Sequence, residues 1–127
     1  MAQAQRPLSP HLEIYRWYFA MALSTLHRIT GVALTFGLAL LTIWLFSVAM
    51  GPEAYGWVQW FVDSWIGVLV LLGFTFALFF HFANGVRHLV WDAGYGFDLD
   101  NARLSGFATL IFAGGMTVIL WFIVLIF

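Results

Sequence analysis

Cysteine and lysine are both absent from this sequence, and charge of either sign is scarce. Without cysteine there is no disulfide framework, no thiolate metal site and no thiol nucleophile. Asp, Glu, Lys and Arg together make up only 9% of the 127 residues, against about 25% in a typical soluble domain. With so little charge the chain cannot cover a water-facing surface. It also has no basic run for nucleic acid, no phosphate-binding loop, no catalytic triad and no metalloprotease motif. Repeats and low-complexity tracts are missing too.

What is present is apolar sequence in long runs. Hydrophobic residues make up 63% of the chain, and the mean hydropathy is +0.93. Ile29–Pro52, Ser64–Val86 and Leu104–Phe127 contain no Asp, Glu, Lys or Arg. About 20 helical residues cross a hydrocarbon core of about 30 Å, so each run is long enough to span. The alternative, core helices of a soluble protein, fails because too little polar sequence remains to wrap them. The expected fold is therefore an all-α membrane protein with spans at about 24–50, 62–90 and 104–127. Residues 1–20 form an N-terminal segment ahead of a single three-helix domain, 21–127.

The basic residues orient it. Arg6, Arg16, Arg28, Arg87 and Arg103 all fall on one side of a three-span chain, while the first connection carries only Glu53 and Asp63. The positive-inside rule then places the N-terminus in the cytoplasm and the C-terminus in the periplasm of a bacterial inner membrane. The opening residues show no cleavable leader pattern, so the first span is expected to act as its own insertion signal. Gly51-Pro52 ends the first span. Trp57, Trp60 and Trp65 at one end, and Trp91 and Tyr95 at the other, suit the two interfaces. Residues 51–63 and the Gly- and Asp-rich stretch 92–101 read as loops, and Asn101 or Ser105 is expected to cap the third span.

Polar groups inside a bilayer are costly and need a reason. Ser24 and Arg28, spaced i,i+4, share one side of the first span. A hydroxyl beside a guanidinium suits a quinone carbonyl that gains negative charge on reduction. The plainer reading is an arginine that snorkels to the interface. On the second span, His81 lies about seven residues, roughly 10 Å, deeper than His88. Neutral imidazole is a good donor to haem iron, and Gly85, one turn beyond His81, leaves room for a ring or a helix. Arg87 and His88 near the surface suit anionic propionates. By depth His27 matches His88, so His81 has no histidine at its own level and would need a second axial ligand from another polypeptide. The plainer reading of His81 is an interhelical hydrogen bond. His11 and Asp63 read as ordinary surface residues, and Gly31, Ala33, Gly37, Gly114 and Gly115 as helix-packing positions. A small channel or transporter is a third possibility, disfavoured because the third span has no ionisable group.

Three blocks, RPLSPHLEIY, SxxHRxTG (Ser24–Gly31) and HxxNGxRHLxWDxG (His81–Gly94), in that order and spacing, resemble the cytochrome b subunits of succinate dehydrogenase. These are the larger membrane anchors of respiratory complex II. The resemblance covers nearly the whole chain from Arg6, and the Asn84-Gly85 pair and RPLSPH start lie nearer its mitochondrial and alphaproteobacterial branch. It implies three transmembrane helices forming half of a heterodimeric haem-binding bundle. His81 is implied as one axial ligand of haem b, the other coming from the small membrane anchor subunit. Ser24 and Arg28 are implied in the ubiquinone pocket, and His27, Arg87 and His88 near the haem propionates or the quinone. Implied partners are an iron–sulfur subunit, against which the N-terminal segment would lie, and a flavoprotein that oxidises succinate. No succinate-oxidising site is expected in this chain itself.

Overall fold

A computed structural model describes residues 16–127; the N-terminal segment carrying Arg6 and His11, with its expected subunit contact, lies outside the described residues. Four helices follow one another: α1 (Phe19–Met50), α2 (Pro52–Val62), α3 (Trp65–Asp92) and α4 (Leu99–Ile126). Three of them are long and apolar enough to cross a membrane. At about 1.5 Å per residue, the 32 residues of α1 exceed a bilayer core of about 30 Å. The start of α1, the end of α3 and the start of α4 meet at one end of the bundle, which carries the described arginines and is called the arginine end below.

The other end differs from expectation. Residues 52–62, read as loop, form the short helix α2. Gly51, at φ 106°, turns the chain where α1 stops, a conformation open to glycine. Pro52 then takes the first position of α2, where its missing N–H costs nothing. Ser64 starts α3 by accepting a 3.0 Å hydrogen bond from the Gly67 N–H. The α2–α3 corner is tight: a Cβ on Gly67 would run into the Phe61 carbonyl oxygen and lie 2.7 Å from that of Val62.

The start of α4 is also earlier than the uncharged run suggests. Asp98, not Asn101 or Ser105, holds the N-cap position. Asn101 instead donates a side-chain hydrogen bond to the Asp98 carboxylate at 2.9 Å. The reason is that loss of charge marks where sequence enters lipid, while a helix continues into water for a further turn.

The helix α3 is central, packing along both α1 and α4. Leu23, Phe80 and Ala113 form the buried core, with Phe19, Leu26, Phe76, Phe79 and Leu110 around it. Gly106 brings α4 close to α1, since a Cβ there would lie 2.6 Å from both Leu23 and Phe19; small residues serve this purpose between membrane helices. Hydroxyls are satisfied within their helices: Thr109 donates to the Ser105 carbonyl and Thr117 to that of Ala113. Trp121 donates across to Thr75 at 3.3 Å, tying α4 to α3 in the half nearer α2. There α1 and α3 part, leaving an apolar groove of about 910 Å³ between Gly37, Leu41, Trp44, Trp57 and Phe74. Most large apolar side chains point outward, among them Ile111 and Leu125, as a lipid-facing or subunit-facing surface requires.

Candidate functional site

Seven residues advance a helix by about 700°, within about 20° of two full turns, so His81 and His88 look out from one face of α3. That face meets α1 at His27. The imidazole of His27 lies between the other two, 3.9 Å from the His81 ring and nearly parallel to it at 7°. It lies 5.1 Å from the His88 ring, tilted by 33°. The depth argument had paired His27 with His88 and left His81 with no histidine at its level; the structure places His27 closer to His81. A glycine causes the shift. The His81 ring lies against α1 at Gly31, where a Cβ would stand 3.0 Å from its Cε1. At Gly85 on α3 the fit is looser, a Cβ there standing at an ordinary contact distance of 4.0 Å from Cε1 of His27.

Hydrogen bonds select the tautomers. Nδ1 of His81 lies 3.2 Å from the His27 carbonyl oxygen and 3.3 Å from the Thr30 hydroxyl. The Thr30 hydroxyl in turn reaches the carbonyls of Leu26 and His27 at 2.9 and 3.0 Å. A carbonyl can only accept, so His81 carries its proton on Nδ1 and keeps a lone pair on Nε2. His88 repeats the pattern, its Nδ1 being 2.7 Å from the Asn84 carbonyl. An imidazole bonded in this way through one nitrogen is oriented to ligate metal through the other. Nδ1 of His27 is buried without a hydrogen-bond partner among the described residues, as is Nδ2 of Asn84. Such unpaired groups mark a place that a further polar group can complete.

Arg87 is buried and faces α4. Its Nε donates to Ser105 Oγ at 3.0 Å, one terminal nitrogen to the Ala102 carbonyl at 2.8 Å, and the other to Asn84 Oδ1 at 3.3 Å. The guanidinium carbon also sits 3.9 Å over the Trp91 ring. Ser24 and Arg28 take a different side. Two residues advance a helix by about 200°, so the exposed Arg28 and the buried Thr30 face opposite ways. Ser24 is half-buried at the flank. No hydrogen bond joins the Ser24 or Arg28 side chain to another of the described residues, so this pair looks out of the bundle. The structure thus brings the three histidines together and leaves Ser24 and Arg28 beside them on an open flank. Thr30, Asn84 and Trp91 complete the cluster. The i,i+3 step from Asn84 to Arg87 and the i,i+4 step from Arg87 to Trp91 were signals for two of them.

Comparison with known proteins shows the family. Residues 2–124 match the family model for the succinate dehydrogenase/fumarate reductase transmembrane subunit. The chain is 40% identical over 124 residues to the succinate dehydrogenase cytochrome b556 subunit of Paracoccus denitrificans, covering 95% of each chain. It is 38% identical to the subunit of the same name from Rickettsia felis, over 92% of this chain and 91% of that one. With the mitochondrial succinate dehydrogenase cytochrome b560 subunit of Mus musculus it shares 39% identity over 87% of its own length and 66% of the relative's. The chain belongs to the family of succinate dehydrogenase cytochrome b subunits, the membrane anchors of respiratory complex II.

Proposed function

We propose that this chain supplies His81 as one axial ligand of a haem b shared with a second, smaller anchor subunit, and that Ser24 and Arg28 form part of a ubiquinone site beside it. The observation that carries the reading is the hydrogen bond from His81 Nδ1 to the His27 carbonyl, which leaves Nε2 as a donor for iron. The unpaired Nδ1 of His27 suits a propionate oxygen, and His88 stands nearest the surface that propionates would reach, with Arg87 buried behind it against α4. Haem b, when bound, supplies a one-electron carrier within the membrane. The relatives' name, cytochrome b556 subunit, supports the assignment.

On the flank, the Arg28 guanidinium donates N–H bonds and positive charge to a quinone carbonyl oxygen, and the Ser24 hydroxyl donates a second bond. Both favour the reduced form, because negative charge develops on that oxygen. Electrons would arrive from succinate through the flavoprotein and iron–sulfur subunits, and protons from water at the arginine end. That end would face the cytoplasm of a bacterial inner membrane, with the C-terminus in the periplasm.

A haem-free structural anchor is the second reading, favoured by the same hydrogen bond, which already satisfies one side of His81 across the α1–α3 interface. Optical spectra of the purified complex separate the two. His81→Ala should abolish or displace the reduced b-type band; a parental complex with no such band would establish the haem-free anchor. Ser24→Ala and Arg28→Ala should depress quinone reduction and spare succinate oxidation with a soluble acceptor. Equal loss of both activities in those variants would count against the quinone site.

A further inference from the structure

The buried Arg87 makes no hydrogen bond to an imidazole among the described residues, yet its contacts lead to one by two routes. We infer that Arg87 is a positioning residue that holds the His88–His27–His81 stack in place from behind, through Trp91 and Asn84. This rests on the functional reading above, since it concerns the imidazoles assigned there to haem.

The first route runs through Trp91. The guanidinium carbon lies 3.9 Å from the centroid of the indole ring. The indole is also held at its edge by a 3.1 Å hydrogen bond from Nε1 to the Gly96 carbonyl. Clamped between α3 and the α3–α4 connection, the indole meets the His88 ring edge-on at 5.3 Å and 81°. His88 in turn adjoins His27, and His27 lies parallel to His81 at 3.9 Å. The second route runs through Asn84. Arg87 bonds its side-chain oxygen, while its backbone carbonyl accepts from His88 Nδ1. The arginine thus steadies both the lateral wall of His88 and the residue that selects its tautomer. Its remaining bonds, to Ser105 and Ala102, fasten this assembly to α4. Partners behind a ligating histidine set ring orientation and basicity, and changing them alters the metal centre without touching it.

The test uses the intact four-subunit complex and reads the haem midpoint potential and reduced spectrum alongside thermal stability. Arg87→Ala and Trp91→Leu should each shift the potential or the band, in the same direction, and the double variant should shift it no further than Arg87→Ala alone. Ser105→Ala, which loosens α3 from α4 but leaves the indole and Asn84 in place, should lower stability and keep the parental haem signature. Trp91→Leu retains both α3–α4 hydrogen bonds of Arg87 and its bond to Asn84, so it decides the matter even if Arg87→Ala does not assemble. A parental signature in Trp91→Leu, or shifts that simply add in the double variant, would overturn the inference and leave the functional reading standing. A parental complex without a b-type band would overturn both.

Discussion

At the scale of single residues, the site depends on what is missing from one glycine. Gly31 lets the His81 imidazole rest against α1, and a Cβ there would already stand 3.0 Å from Cε1. Gly31→Leu should therefore push the ring off the His27 carbonyl and lower the haem content of the complex. Gly31→Ala should do so partially, because the ring can yield by a few tenths of an ångström. The haem-to-protein ratio of the purified complex checks this, and a full complement in Gly31→Leu would contradict the placement of His81. Thr30→Val is the gentler companion. It removes the hydroxyl 3.3 Å from His81 Nδ1 but leaves the carbonyl acceptor, so the band should persist with a small shift.

Between elements, backbone corners matter more than lone hydrogen bonds. The α2–α3 corner brings the Phe61 and Val62 carbonyls against Gly67, and backbone cannot move aside as a side-chain tip can. Gly67→Ala should destabilise the subunit by about 1–3 kcal/mol, as overpacking does. Trp121→Phe, which gives up the Thr75 bond, should cost only about 0.6 kcal/mol, the usual size of a hydrogen bond between membrane helices. Thermal melting of the two variants in one detergent ranks them, and the reverse order would sink the argument. Helix α2 itself escaped the sequence reading because eleven residues rich in aromatics, between two turns, have the composition of an interfacial loop. Only the tight closure at Gly67 shows that they coil.

For the whole molecule, the outward-facing apolar surface and the open flank at Ser24 and Arg28 describe a part rather than a complete unit. The family membership implies other subunits of complex II, and three crossings would put the start of α1 and the end of α4 on opposite sides of the membrane. A periplasm-dependent reporter fused after Phe127 should be active, and one inserted at 94–96 inactive. The opposite pattern would reverse the proposed orientation.

The number of helices long and apolar enough to span was legible in composition alone, and spacing alone put His81 and His88 on a shared face. Three uncharged runs of more than 20 residues, with only 9% charged residues in the chain to cover them, call for lipid, and an advance of about 700° puts His81 and His88 on one face whatever surrounds them. Tertiary structure decided which imidazole lies against which, which nitrogen of His81 is left free, and that Arg87 turns to α4. Those outcomes depend on how closely α1 approaches α3. That approach is set by the side chains absent at Gly31 and Gly37, where a Cβ would stand 3.0 Å from His81 and Phe74, and a one-dimensional pattern records such gaps without saying what fills them.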